Sequence, residues 1–153
     1  MENVKELFVT KVRDVKLPQK GHNEDAGFDF FIPNDFEART LRPHEDILIP
    51  SGIRVNVPAG YALVAMNKSG VATKKKLRIG ACVIDTGYAG EVHIHLFNDG
   101  TDLVQLSPGD KIVQFVLLKI GTPEIKEISN EEYTNMMSSY ERGEGGFGST
   151  GVK

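Results

Sequence analysis

The sequence has few of the features that mark secreted, membrane-spanning or nucleic-acid-binding proteins. It contains one cysteine, Cys82, which excludes an intramolecular disulfide and suits a reducing compartment. No apolar run approaches the ~18 residues that a membrane-spanning helix needs, and the first residues include Lys5 and Glu6 where a signal peptide is apolar. The net charge of −3 argues against a basic face for duplex nucleic acid. We therefore expect a cytoplasmic protein without membrane or direct nucleic-acid partners.

Long helical patterns are also missing, and short extended runs recur instead between turn signals rich in proline and glycine. Many short strands at this spacing favour a β-sandwich, jelly roll or small barrel over a parallel α/β sheet. We expect an all-β domain over residues 1–137 and a glycine-rich C-terminal arm over residues 138–153. The predicted strands, besides a central hairpin, are Leu7–Val12, Gly27–Ile32, Asp46–Ile49, Ile53–Val57, Tyr61–Met66, Leu103–Leu106, Lys111–Leu118 and Glu124–Ile128.

Two short helices are predicted outside the strands. Ser129 and Glu132 have the spacing of a capping box, ahead of Tyr133–Met137. The second candidate is Ser69–Lys74, whose first turn would present free N–H groups. A helix N-terminus of that kind is a natural site for phosphate.

The central stretch Gly80–Asn98 has the signature of a hairpin that opens onto a ligand. Two apolar and β-branched runs, Ala81–Ile84 and Glu91–Phe97, flank a connector that contains two glycines. Asp85 and Tyr88 lie at the mouth of that connector. Because glycine leaves main-chain N–H and C=O groups accessible, this arrangement suits a flat polar ligand. The sequence therefore predicts a base-reading pocket with a carboxylate at its lip.

The C-terminal arm differs in composition from the rest of the chain. Five of the nine residues from 143 to 151 are glycine, so fixing the free arm costs much backbone entropy. Glycine permits close backbone approach to an anion, and Ser149 and Thr150 add hydroxyl groups. Arg142 can neutralise phosphates, and Phe147 can stack on a base for roughly 1–3 kcal/mol. Composition alone fits a disordered tail, but one phenylalanine among glycines favours a lid that folds over ligand.

These stretches resemble the motifs of the dUTP nucleotidohydrolases (dUTPases). Gly80–Asn98 resembles the third motif and Arg142–Gly151 the fifth, with weaker matches at AGFDF (Ala26–Phe30), NKSG (Asn67–Gly70) and PGDKIVQ (Pro108–Gln114). The resemblance implies a jelly-roll-like β fold and an enzyme that hydrolyses dUTP to dUMP and pyrophosphate. Such an enzyme limits uracil incorporation into DNA and supplies dUMP for thymidylate synthesis. The resemblance also implies a homotrimer whose active sites are shared between subunits and closed by the arm.

By this resemblance Asp85 is the catalytic residue, which bonds the deoxyribose 3′-hydroxyl and activates the water that attacks the α-phosphorus. In-line attack needs a positioned water and a base, and a carboxylate at the pocket rim can serve both needs. On turn statistics alone Asp85 is an ordinary turn aspartate. The surrounding motif favours the catalytic interpretation.

Main-chain groups of both runs are expected to read uracil, because fixed donors and acceptors that match its edge are left unpaired by cytosine. The 5-methyl group of thymine would be excluded by lack of space. Tyr88 would lie under the sugar and exclude a 2′-hydroxyl, although packing across a hairpin is the commoner role of a strand-edge tyrosine. The predicted contacts are Gly80, Cys82, Val83, Ile84, Tyr88 and the backbone of His93.

Three separate motifs are expected to contact the phosphates. Position 68 departs from the family, which usually has arginine there, and lysine lacks the bidentate guanidinium fork. Gln114 is equally well explained as a satisfied polar group within the sheet. The run Lys74–Lys76 is most simply a solvated face. The predicted phosphate contacts are Lys68, Ser69, Gly70, Gln114, Arg142, Gly148, Ser149 and Thr150, with Phe147 on the base.

Asp29, in AGFDF, matches the aspartate that the family assigns to its metal site. That aspartate either binds Mg²⁺ through water or orients neighbouring basic groups. Mg²⁺ prefers oxygen ligands and is usually held by phosphates with one or two carboxylates. An aspartate at a strand end is equally common without a metal. The predicted cofactor is nevertheless Mg²⁺, and the predicted small-molecule partner is dUTP.

Other candidate ligands and nucleophiles are weaker. His93 and His95 point to one face of a strand, but no third ligand stands at metal-binding spacing, so an ordinary polar face is favoured. Cys82 has no adjacent base that would support a nucleophilic role, and we expect a small buried side chain.

Two other functions remain open. A dCTP deaminase, or its bifunctional relative, would use the same fold and needs an acid or base beside C4 of the pyrimidine. Glu91 is the only extra carboxylate of the hairpin that could serve there. A nucleotide-gated regulatory protein would instead use the ordered or disordered arm to control the binding of a partner.

Overall fold

The computed structural model describes residues 3–152 of the chain. The predicted outer domain limits, Met1 and Lys153, lie outside the described residues. The chain divides into two compact units, residues 1–121 and residues 122–153. This division falls earlier than the predicted boundary after residue 137, because the last strand ends at Lys119. The helix that follows therefore belongs with the C-terminal unit.

Antiparallel strands build the N-terminal unit. They are β1 (Val9–Lys11), β2 (Gly27–Phe31), β3 (Arg39–Leu41), β4 (Asp46–Pro50), β5 (Ile53–Val55), β6 (Tyr61–Met66), β7 (Leu77–Ile79), β8 (Val83–Ile84), β9 (His93–Asn98), β10 (Val104–Leu106) and β11 (Lys111–Lys119). The larger sheets have the strand orders β2-β11-β6-β8 and β4-β9-β7, and β1-β5 and β10-β3 form two-stranded pairs. A short helical turn, Val71–Lys75, connects β6 to β7.

Alternating side chains of the strands form an apolar core. On β9, Ile94 and Leu96 are fully buried while their strand neighbours are half-buried, which is the pattern of a strand with one face turned inward. Phe30 on β2 and Phe115 on β11 are both buried, with ring centroids 4.4 Å apart. This aromatic pair packs between the two strands that carry the AGFDF and PGDKIVQ motifs.

The predicted hairpin between Ala81–Ile84 and Glu91–Phe97 is wrong in its strand pairing. Both edges of β9 are occupied, by β4 on one side and by β7 on the other. The edge that the first run would need is therefore taken, and β8 pairs with β6 instead. The hairpin is formed by β7 and β9, and residues 80–92 are its long connection.

Two other features of the strand assignment differ from the prediction, and one helix agrees with it. β3 and β7, which were not predicted, have only three residues each, too few for alternation to show in the sequence. Residues 124–128, all of them described, form no strand, and Ile125 is fully exposed. The helix predicted over Ser69–Lys74 is confirmed, because residues 69–75 are helical and their last part is the π-helical turn Val71–Lys75.

The capping-box helix is confirmed as α1 (Asn130–Met137). Glu132 N donates to Ser129 Oγ at 3.1 Å, and Ser129 N donates to the Glu132 carboxylate at 3.0 Å. Within residues 3–152 no helix has the length and apolar character needed to cross a membrane. Apart from two short helices, the regular secondary structure of the described residues consists of strands. The all-β prediction is therefore confirmed.

Phe115→Ala is expected to lower the free energy of unfolding by about 3–5 kcal/mol, because it removes a buried ring and leaves a cavity beside Phe30. Phe8→Ala is the matched control, since the Phe8 ring is 64% exposed. Its change should stay within about 0.5 kcal/mol. Urea denaturation measures the free energy of unfolding of both variants. A similar decrease in the two variants would contradict this description of the core.

Candidate active site

Asp29 is a buried carboxylate that two lysines neutralise. It lies on β2 opposite Gln114 of β11 and is only 6% exposed. Lys68 Nζ bonds one carboxylate oxygen, and Lys111 Nζ lies 3.9 Å from the other. A buried carboxylate without a partner would be costly, so these ammonium groups stabilise it. One negative and two positive charges leave an excess positive charge that suits an anion.

Gln114 and Asn67 lie beside this lysine–aspartate cluster. Gln114 Nε2 donates to Asn67 O at 2.9 Å, and Asn67 Oδ1 accepts from Ile79 N at 3.0 Å. A Cβ at Gly27 would lie 2.4 Å from Gln114 Oε1, so the glycine leaves room for this side chain across β2. The Gln114 donor is used within the protein, and contact with a phosphate would replace that bond. The phosphate role of Gln114 stays a prediction.

Ser69 and Gly70 are exposed and begin the helical segment that continues as Val71–Lys75. Ala72 N donates to Lys68 O at 2.8 Å, and Thr73 Oγ1 donates to Ser69 O at 2.7 Å, which closes the turn on itself. Among the residues that the structure describes, neither the Ser69 hydroxyl nor the Gly70 N–H has a partner. Both groups are therefore available to an anion beside the lysine–aspartate cluster.

The described residues do not assemble a metal site by themselves. Among residues 3–152 no group of three or more His, Cys, Asp or Glu side chains could hold a metal ion. Both oxygens of Asp29 face ammonium groups. This geometry fits the second role that the resemblance allows, orientation of basic side chains, better than direct contact with Mg²⁺. A metal role for Asp29 stays a prediction.

Asp85 opens a tight turn in the connection between β8 and β9. Tyr88 N donates to Asp85 O at 3.2 Å, and Gly87 has φ +88°, a left-handed conformation that glycine adopts without strain. Thr86 Oγ1 donates to Tyr61 O at 3.2 Å, which ties the turn to the start of β6. The Asp85 side chain is exposed, and in the described part of the chain no other side chain bonds it. The carboxylate is therefore free to hold a water.

Tyr88 is fixed across the same connection by its hydroxyl group. Tyr88 Oη donates to Glu91 O at 2.8 Å, and that carbonyl oxygen also lies 3.0 Å from His93 Nδ1. A Cβ at Gly90 would lie 2.6 Å from Tyr88 Oη, so the missing side chain lets the tyrosine lie close to the loop. Tyr88 remains 45% exposed, which leaves part of the ring open to a sugar.

The Glu91 carboxylate anchors the loop instead of facing a base pocket. Its Oε2 accepts from Arg13 Nε at 2.8 Å and from Gly52 N at 2.9 Å, and its Oε1 accepts from Arg13 Nη2 at 3.3 Å. The hydrogen bonds from Arg13 are the main reason that the pKa of Glu91 lies below its ordinary value. A carboxylate held in its charged form is a poor general acid, which argues against the deaminase alternative.

The predicted uracil-reading residues run from the end of β7 to β8. Gly80 N donates to His95 O at 2.9 Å, and Cys82 O accepts from Ala65 N at 2.8 Å. Cys82 is half-buried, where a fully buried side chain was expected, and Val83 is 57% exposed. Main-chain bonds thus fix the segment at Gly80 and at Cys82, while the Val83 side chain stays exposed.

The structure places the two halves of the predicted site at opposite corners of the four-stranded sheet. Asp29 lies level with Met66 at the end of β6, whereas Asp85 lies level with Ala62 near its start. The offset is about 13 Å along the strands and about 14 Å across three strand spacings. Asp85 therefore lies roughly 20 Å from the ammonium group of Lys68.

The C-terminal arm consists of tight turns. Arg142 Nε donates to Gly145 O at 2.7 Å, and Gly145 N donates back to Arg142 O at 3.0 Å. Phe147 is fully exposed and has φ +48°, an uncommon conformation for a bulky side chain. A cleft of about 650 Å³ is lined by all the arm residues predicted to contact the nucleotide: Arg142, Phe147, Gly148, Ser149 and Thr150. Closure of the arm over a nucleotide stays a prediction.

Lys111 and Asn67 belong to the cluster but were not predicted individually. Both lie inside motif matches, PGDKIVQ and NKSG, so the sequence did mark their neighbourhood. The contact of Lys111 with Asp29 depends on the pairing of β2 with β11, and that of Asn67 with Gln114 on the pairing of β6 with β11. The sequence alone reveals neither pairing.

Glu91→Gln is expected to destabilise the protein at neutral pH and to have less effect in acid. Because the folded-state pKa is depressed, the contribution of the carboxylate is present above its ordinary pKa of about 4.5 and is lost as the pH falls through the folded value. The difference in unfolding free energy between wild type and variant should therefore shrink below that pH. Denaturation across a pH series measures it, with the exposed Glu124→Gln as control. A difference that is constant with pH would contradict the assignment.

Comparison with known proteins agrees with this geometry. The dUTPase family model matches residues 13–151. The deoxyuridine 5'-triphosphate nucleotidohydrolase of Candida albicans is 44% identical over 137 residues, which cover 89% of this chain and 81% of that protein. The corresponding protein of Fowlpox virus is 36% identical over 151 residues, which cover 98% and 100%. A solved structure of the Staphylococcus bacteriophage 80alpha dUTPase with dUPNHPP has 30% identity and a TM-score of 0.85, covering 97% of this chain and 100% of that one.

These similarities extend over nearly the whole chain and include the segments in which the motifs were found. They confirm the resemblance, the jelly-roll-like all-β fold and the enzyme class, dUTP diphosphatase. The chain belongs to the dUTPase family.

Proposed function

We propose that this chain hydrolyses dUTP to dUMP and pyrophosphate by attack of water on the α-phosphorus. The observation that carries the proposal is the Asp85 carboxylate, which is exposed at the rim of a glycine-held turn beside Tyr88. Hydrolysis limits uracil incorporation into DNA and supplies dUMP for thymidylate synthesis. The bonds that fix Glu91 make the deaminase alternative the weaker one.

Asp85 orients the attacking water and accepts its proton. A general base must lie within hydrogen-bond reach of the water, and an exposed carboxylate without side-chain partners can bind one there. The same carboxylate bonds the 3′-hydroxyl of the deoxyribose. This double contact holds the sugar and the water in a fixed relation, which lowers the entropy cost of in-line attack.

Basic and polar groups stabilise the charge that develops on the leaving pyrophosphate. Asp29 orients Lys68, and Ser69, Gly70 and Gln114 lie nearby for the phosphate oxygens. Arg142, Gly148, Ser149 and Thr150 of the arm add donors when the arm closes. With lysine at position 68, the phosphates meet a point charge in place of a guanidinium fork.

The loop after β7 selects the base and the sugar. Main-chain groups from Gly80 to Ile84, with the backbone of His93, pair with uracil, and cytosine would leave them unpaired. The ring of Tyr88 occupies the place of a 2′-hydroxyl. Phe147 stacks on the base when the arm closes.

Mg²⁺ is proposed to enter with the triphosphate. Phosphate oxygens with one or two carboxylates commonly hold this ion, and among residues 3–152 no protein cluster is preformed for it. The bound ion would offset negative charge on the phosphates. The residues of this chain position the nucleotide around that complex.

We further propose that the active form is a homotrimer with shared sites. Asp85 and Lys68 lie roughly 20 Å apart within one chain, so one nucleotide can meet both only if they come from different subunits. The arm beyond Tyr140 can extend about 45 Å at ~3.3 Å per residue, far enough to reach a neighbouring subunit. The family resemblance favours three subunits.

Asp85→Asn should retain dUTP binding and lose hydrolysis, because the amide keeps the shape of the side chain but cannot accept the proton of the water. A loss of kcat of roughly 10²-fold or more is expected for removal of a general base. Pyrophosphate release and equilibrium binding of dUPNHPP measure the two properties. Asp102→Asn, a change in an exposed loop, is the control. Near-normal turnover in Asp85→Asn would refute the assignment.

Mixing two inactive variants tests the shared site. Asp85→Asn and Lys68→Gln each damage a different half of the site, so subunits mixed after unfolding and refolding should rebuild intact sites at some interfaces. With equal amounts, about a quarter of the interfaces combine an intact Asp85 with an intact Lys68. Activity near a quarter of wild type is expected. Activity no greater than the mean of the separate variants would contradict sharing.

A further inference from the structure

His95 links two strands to the start of the uracil-reading segment. It lies on β9, and its Nε2 is 2.8 Å from Asp46 Oδ2 on β4. On the other side of the ring, Nδ1 accepts from Ala81 N at 3.0 Å. Gly80 N also donates to the main-chain oxygen of His95 at 2.9 Å. One residue therefore holds two consecutive N–H groups after β7.

These bonds fix the tautomer of the imidazole. A backbone N–H can only donate, so Nδ1 must be the unprotonated nitrogen that accepts from Ala81. The proton of the neutral ring then lies on Nε2 and is donated to the Asp46 carboxylate. Asp46 thus selects the tautomer that Ala81 requires, an arrangement in which the bond at one nitrogen sets the role of the other.

The packing around the ring leaves it little freedom. His95 and Phe97 lie with ring centroids 4.7 Å apart, and the His95 side chain is 21% exposed. A Cβ at Gly80 would lie 2.3 Å from His95 Nδ1 and 2.6 Å from Phe97. The chain can approach the imidazole this closely only because position 80 is glycine. Gly80 and His95 therefore form one fitted contact.

We propose that His95 is a positioning residue for base recognition, which holds the peptide between Gly80 and Ala81 in the orientation that uracil pairing requires. Its contacts are with Asp46, Phe97 and the N–H groups of Gly80 and Ala81, so the proposed action is through the main chain. The inference rests on the proposed function, because it assumes that the segment from Gly80 to Ile84 reads the base.

Three substitutions separate the two bonds of the ring. His95→Asn places an oxygen near the position of Nδ1 and can keep the Ala81 bond, but it loses Asp46. His95→Gln places an amide nitrogen near the position of Nε2 and can keep Asp46, but it has no acceptor for Ala81. His95→Leu removes both bonds. His22→Asn, at an exposed histidine in another loop, is the control.

The expected result is a rise in the KM for dUTP of roughly 3- to 10-fold in His95→Gln and His95→Leu, the effect of losing one hydrogen bond to the main chain. Their kcat should change less than their KM. The ratio of kcat/KM for dUTP to kcat/KM for dCTP should fall. His95→Asn should stay near wild type in all three quantities. An equal rise in the KM for dUTP in His95→Asn and His95→Gln would overturn the proposal. So would a fall in kcat with an unchanged KM.

A measurement on the unsubstituted protein avoids any dependence on how the variants fold. The ¹⁵N chemical shifts of the His95 ring should show Nδ1 unprotonated and Nε2 protonated at neutral pH, and a proton on Nδ1 would overturn the proposal. Failure of the proposed function has a different signature. In that case the wild-type protein would release no pyrophosphate from dUTP, whatever the tautomer of His95.

Discussion

The hydrogen-bond register of β6 is the constraint on which the rest of the site depends. β11 occupies one edge of this strand and β8 the other, so the end of the sheet that carries Asp29 and the end next to Asp85 are fixed at different levels. Hydrogen bonding on both edges makes that offset rigid, because a slip of one residue would turn every side chain to the opposite face. This offset is what supports the proposal that the active sites are shared between subunits.

Charge pairing stabilises the two ends of the sheet in the same way. Asp29 is buried between Lys68 and Lys111, and Glu91 is held by Arg13 and a main-chain N–H. Each carboxylate is held in place by a basic side chain. Asp85 has no such partner among the described residues and is exposed, which supports the proposed role in holding a water. Residues of the same type thus receive structural or chemical roles from their surroundings.

The sequence predicted those features that depend on local patterns. The alternation of apolar and polar residues and the turn residues located β6 and β11, and the capping box located α1. The roles that the motif matches assign to Asp85, Lys68 and Asp29 stay predictions. Pairing between distant strands could not be predicted, because alternation marks a strand without naming its partner. For that reason the predicted pairing partner of β8 was wrong. The contacts of Lys111 with Asp29 and of His95 with Ala81 were not predicted. Strands of three residues, such as β7, are too short to show a pattern.

The central claim is that one dUTP molecule is bound by Asp85 from one subunit and by Lys68 from another. The most direct test is a crystal structure of the protein with dUPNHPP and Mg²⁺. The account predicts that the Asp85 carboxylate lies within reach of the sugar and of the water facing the α-phosphorus, while Lys68 of a different chain faces the phosphates. A nucleotide contacted by Asp85 and Lys68 of the same chain, or an Asp85 carboxylate remote from the α-phosphorus, would contradict it.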